Sequence, residues 1–136
     1  MDDSRREDGG MIARLAEAMR GNPDEHFETL KQKCLDMESK LGVEGVSSEE
    51  FFEACFEFLC LCACLGYADL YCLNREVCWA GRRVIMFAGM VDYRAFLAKI
   101  DFEISQIASK RERWRWMNVI QEVTSFVSSP WWKCDY

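Results

Sequence analysis

Proline and histidine are nearly missing from this chain: two prolines, Pro23 and Pro130, and one histidine, His26, occur among its 136 residues. With so few breakers, and no alternating apolar and polar run bounded by turn residues, strands have little support and an all-α protein is the expectation. A lone histidine leaves few nitrogen ligands for a zinc site and only one basic partner for a cysteine nucleophile. Glycine-rich phosphate loops are absent too, so neither an enzyme nor a cofactor is expected. Basic residues are outnumbered, 17 Lys and Arg against 23 Asp and Glu, for a net charge of -6. Nucleic acid and anionic membranes select for clustered excess of Lys and Arg, and this balance speaks against both as general partners. The longest charge-free run, 58–68, falls well short of the roughly 20 residues of a spanning helix. The charged opening "MDDSRREDGG" lacks the apolar core of a secretory signal, and "SSPWWKCDY" carries no apolar tail. A cytoplasmic protein without a transmembrane anchor is therefore predicted.

What is abundant is apolar surface: half of the residues are apolar, enough for one domain with a real core. Residues 1–10 read as a disordered segment, 11–132 as a single helical domain and 133–136 as a tail. Met11, Leu15 and Met19 mark a short first helix. Asn22 can cap the next, Pro23 suits its first position, and Asp24 and Glu25 favour its positive dipole end. Phe27, Leu30, Cys34, Met37 and Leu41 then draw one apolar stripe, and Gly42 can end it. Ser47 with Glu50 forms a capping box, starting a third helix near Ser48. From Phe51 to Leu73 the chain is so apolar that it predicts burial on most sides, with Gly66 the place for a break. The stretch from about 76 to 99 carries apolar residues all round and reads as a central helix wrapped by amphipathic ones. A last helix is predicted from Asp101 to about Val127, where Pro130 ends it.

Eight cysteines need a reading. Cys60, Cys62 and Cys64 do not share one helical face, so no metal site is expected there and most thiols read as small core residues. Exposed thiols, with Cys34 and Cys134 as examples, leave a disulfide-linked homodimer open. His26 reads as a surface residue in the first turn of its helix.

Two adjacent arginines, Arg82 and Arg83, interrupt the apolar run from Val77 to Met90. An isolated buried cation is costly, so each must reach solvent, an acid of this chain, or one brought by a partner. The two point about 100° apart and do not share a groove.

The company of these arginines resembles the B-cell lymphoma-2 (Bcl-2) family of apoptosis regulators. "VCWAGRRVIMFAGM" looks like that family's first homology motif: Gly81 and Arg82 match its Gly-Arg pair, and Val84 and Phe87 fall on matching apolar positions. Trp79 fits only with Ala80 as an insertion. "LKQKCLDM", Leu30 to Met37, is similar to the third homology motif, although Cys34 stands for the usual glycine and Leu35 for the usual aspartate. "FVSSPWW" resembles the second, with Trp132 at its closing tryptophan and Ser-Pro-Trp where glycines are usual. From Cys34 to Gly81 is 47 positions and from Gly81 to Trp132 is 51, close to the family's separations. The resemblance spans about Met11 to Trp132. The compact length and missing tail resemble the reduced members carried by large DNA viruses.

That resemblance implies a helical bundle whose groove accepts the amphipathic death-motif (BH3) helix of a pro-apoptotic protein, of the Bim, Bak or Bax kind. Arg82 is the implied partner of a ligand aspartate, its fork suited to a carboxylate. Implied groove walls are Leu30, Cys34 and Met37, then Phe52, Cys55, Phe56 and Leu59, with Gly81, Val84 and Phe87 beside Arg82. Each apolar one reads equally well as core. The departures at Cys34 and Leu35 spoil this chain as a death ligand, implying a sequestering, pro-survival role. The implied place is the cytosol, a host's if the chain is viral, peripheral at mitochondria through its partners.

Other readings compete. "SKRERWRWMN" interleaves bases with tryptophans, a pattern that can stack and pair with single-stranded nucleic acid; a solvated helix with Trp114 and Trp116 partly buried is the plainer account. A helical adaptor with a closed groove is the main alternative function.

Overall fold

The structure is a computed structural model, and it describes residues 10–43, 45–65 and 75–128. These residues form six helices and no strand: α1 Met11–Arg20, α2 Pro23–Ser39, α3 Ser48–Cys64, α4 Arg75–Ala88, α5 Tyr93–Ser105 and α6 Lys110–Ser128. The all-α class stands. The expected break at Gly66 and the motif around Trp132 lie outside the described residues, as do the termini. No helix among the described residues is long and apolar enough to cross a membrane.

Local chemistry starts the helices where short side chains can cap them. Asn22 accepts from the Glu25 amide at 3.1 Å ahead of Pro23. Ser47 and Glu50 exchange hydrogen bonds of 3.0 Å each, the reciprocal box that satisfies two orphan donors at the head of α3. Gly42, at φ +72°, takes the left-handed conformation just past α2. The expected continuous helices over 76–99 and 101–127 are each divided differently. Asp92 caps α5 through the Ala95 amide at 3.0 Å, and Ser109 caps α6 through the Glu112 amide at 3.2 Å. Both caps have a sequence signal, most clearly Ser109 with Glu112 three residues on.

A correction concerns the middle of the bundle. The buried helix is α3, not the stretch 76–99. Phe51, Phe52 and every residue from Ala54 to Ala63 are buried, and each of the other helices packs against α3. Phe56 meets Phe96 of α5 at 4.9 Å between ring centroids, and Phe52 meets Tyr93 at 5.7 Å, mostly edge to face. α4 buries only Val77, Ala80, Gly81 and Val84, one stripe toward α3.

Burial all round leaves one acid inside. Glu57 is 4% exposed, and Arg14 of α1 forks onto it with contacts of 2.8 and 3.3 Å. Glu103 of α5 accepts from the Ile12 amide at 3.1 Å, capping α1 from another helix. At Gly10, with φ +94°, that same carboxylate occupies the space a Cβ would need.

Candidate functional site

α2 and α4 lie beside each other on α3 and run in the same direction. Lys31 approaches Glu76 at 3.7 Å and Arg83 donates to Glu38 at 2.9 Å, and in both pairs the partners are 45 positions apart, so the register holds over this length. Between these ties a small cavity of about 200 Å³ is lined by Lys31, Leu35, Arg75, Glu76 and Trp79, with Phe58 of α3 among its walls.

Helical spacing puts Arg75, Trp79, Arg82 and Met86 on one outward stripe of α4. Trp79 sets the geometry of the seam. Its ring meets Phe51 edge-on at 6.3 Å, and the Arg83 guanidinium covers it at 4.6 Å. Cation–π attraction and the Glu38 pair together hold Arg83 half-buried. Arg82 has neither: it is exposed and has no ion pair among the described residues. Met86, 58% exposed, follows one turn on, and Leu35 is exposed on the facing helix.

The remaining expected groove walls fall mostly in the interior. Leu30, Cys34, Phe52, Cys55, Phe56, Leu59, Gly81 and Val84 are buried, closed off from a docking helix in the structure as it stands. The physical reason is the shift of the central helix to α3: residues on its inner and outer faces alike are covered. Met37 and Phe87 are half-buried against the core, and Phe87 meets Phe51 edge-on at 5.2 Å. The structure therefore leaves Arg82 exposed on the same stripe of α4 as Trp79 and Met86, and brings Trp79 together with Leu35 at the seam; of these, the sequence motif points to Arg82 and Trp79. Leu35 was read as a departure from a motif, and Glu38, Lys31 and Glu76 carried no signal beyond charge.

Among the described residues Cys34, Cys55, Cys60 and Cys62 are buried, and Cys64 and Cys78 are half-buried. Cys34 is a correction, since it is fully buried and unavailable for an intermolecular disulfide; Cys134 lies outside the described residues. The Cys55 thiol is pushed up by its hydrogen bond with Cys34 and then by burial. Burial raises Cys62 to about 12 and Cys64 to about 11, so these groups stay as unreactive thiols near neutral pH. No cluster of metal-ligating side chains forms among the described residues. His26 is also corrected: it is half-buried, and its Nε2 is covered without a hydrogen-bond partner among the described residues.

A larger cleft, about 680 Å³, opens between α1, α5 and α6, lined by Ile12, Met19, Phe102, Ile107 and Trp116 among others. Its charged rim is satisfied internally: Arg20 pairs with Glu17 at 2.7 Å, Arg115 with Glu112 at 3.7 Å, and Glu103 caps α1. No rim charge is left over to select a ligand. The seam, with Arg82 beside it, is the better candidate.

Comparison with protein-family models, with curated proteins and with solved structures finds no match to this chain.

Proposed function

We propose that this protein is a helix-capturing interaction domain of the B-cell lymphoma-2 kind that sequesters the BH3 helix of pro-apoptotic proteins and so favours survival. The observation that carries the reading is Arg82, an exposed guanidinium without an ion pair among the described residues, one turn along α4 from Trp79, which lines the α2–α4 seam. The order and spacing of the three motif-like segments support it. A ligand helix lying along the seam sets apolar anchors against Leu35, Trp79 and Met86 while its aspartate forks onto Arg82. Deeper seating requires α2 to move off α3, which breaks the Arg83–Glu38 and Lys31–Glu76 ties and turns Cys34, Cys55 and Leu59 into groove walls.

Calorimetric titration with a panel of pro-death peptides tests the reading. Arg82→Ala weakens binding about thirtyfold or more, the loss expected when one member of an interfacial charge pair is removed. Arg83→Ala has a smaller effect, and equal losses at both sites defeat the assignment. The second reading, an adaptor with a shut seam, is favoured by the burial of eight expected wall residues. Failure of every peptide to bind selects it.

A further inference from the structure

The sixth helix distributes its charge unlike the chain as a whole. Lys110, Trp114, Met117 and Gln121 recur at spacings of four, three and four along its outward stripe, flanked by Arg111, Arg113 and Asn118. No acid shares this face over three turns. Glu112, the one carboxylate among residues 110–117, is turned to the cleft beside α1 and held by Arg115. A net charge of -6 for the whole chain hides this segregation.

Trp114 is 68% exposed and Met117 56%, although the opposite face of the same helix is packed against the core through Trp116, Ile120 and Val123. Lys110 and Arg111 are exposed and have no ion pair among the described residues. Arg113 is committed elsewhere: it donates to the carbonyls of Ile107 and Ala108 and ties the head of α6 to the connection that leads from α5. The patch is thus mounted on a rigid element, with two large apolar side chains projecting between free cations. Lys110, Arg111, Arg113, Trp114 and Met117 together line a shallow open recess.

An occupant must be anionic at its surface and apolar just beneath. A strand of nucleic acid meets the first requirement, but it is read by successive stacking platforms. Only one aromatic is offered here, since Trp116 is 2% exposed. A bilayer meets both requirements, because acidic headgroups face the cations while Trp and Met side chains enter the interface. We propose that the outward face of α6 attaches the protein reversibly to an anionic lipid surface, Trp114 and Met117 inserting while Lys110 and Arg111 meet the headgroups. This attachment is independent of the α2–α4 seam.

Cosedimentation of the full chain with vesicles tests it. Binding is expected to phosphatidylserine-containing vesicles and not to phosphatidylcholine alone, and it weakens as salt is raised. The double change Lys110→Gln with Arg111→Gln lowers partitioning about twenty-fivefold, since each cation near an anionic surface is worth about fivefold. Trp114→Ser with Met117→Ser also loses binding at low salt, with the melting temperature unchanged because all four positions are exposed. No binding to anionic vesicles, equal binding to neutral ones, or indifference to both double changes overturns the proposal. Preference for a single-stranded oligonucleotide over vesicles, lost in the same variants, overturns it in favour of nucleic acid.

Discussion

α3 and α4 both carry charge in apolar surroundings, and they accommodate it in opposite ways. α3 holds Glu49 and Glu50 in its first turn and only Glu53 and Glu57 beyond it, whereas α4 has Arg75 and Glu76 at its start and the Arg82–Arg83 pair in its second half. With Glu49 and Glu50 confined to its exposed first turn, the rest of α3 can turn nearly every face inward, and its one interior acid is matched by Arg14 from α1. α4 buries a single stripe and lets one arginine cross to α2 and the other project outward. The comparison teaches that apolar content alone does not choose the central helix. Where along the helix the charges fall, and whether each finds water or a partner there, decides it.

Substitutions can break or sharpen this contrast. Phe56→Ala removes a fully buried ring and should cost about 3–5 kcal/mol in denaturant unfolding, while Met86→Ala on α4 stays within about 0.5 kcal/mol. A comparable loss at Met86 would mean that α4 is covered as α3 is. Arg14→Ala leaves the Glu57 carboxylate buried alone; because Arg14 itself is nearly half exposed, about 2 kcal/mol is expected, below the full cost of an interior pair. Glu57→Met in that background should restore most of it.

On α4, Arg83→Ala loses both the Glu38 pair and the Trp79 stacking, for about 1 kcal/mol of stability. Arg82→Ala leaves stability within about 0.5 kcal/mol while producing the larger loss of peptide binding. A double dissociation of this kind separates the structural arginine from the proposed binding one.

The smallest effect is in pH dependence. Burial holds the Glu103 carboxyl above its ordinary range, opposed by its hydrogen bond from Ile12 and by Lys99 and Arg14. A folded value raised above the unfolded one gives stability that is fully present below the ordinary carboxylate range and is lost as pH rises through the raised value. Glu103→Gln keeps an acceptor for the Ile12 amide and should flatten that slope in acid titrations of unfolding.

Local signals were readable wherever the physics is local. The caps at Asn22 and Ser47 and the stripe through Leu30 and Cys34 rest on neighbours a few positions apart, and the structure has them. The divisions at Asp92 and Ser109 had equally local signals, obscured because apolar residues continue on both sides and mimic one long helix. Of the candidate site, the exposure of Arg82 is consistent with the cost of burying a cation. The seam beside it was not readable, since Leu35 and Trp79 come together only through a register 45 positions long.

By itself the sequence determined the helical class, the helix starts with strong caps and the preference of most thiols for the interior, because these follow from backbone geometry, capping and hydrophobicity. Only the tertiary structure decided that α3 is the hub, that Glu38 takes Arg83 and leaves Arg82 without an ion pair among the described residues, and that the basic face of α6 turns outward. Each of those depends on which side chains from distant positions reach one another first, a competition that no local pattern encodes.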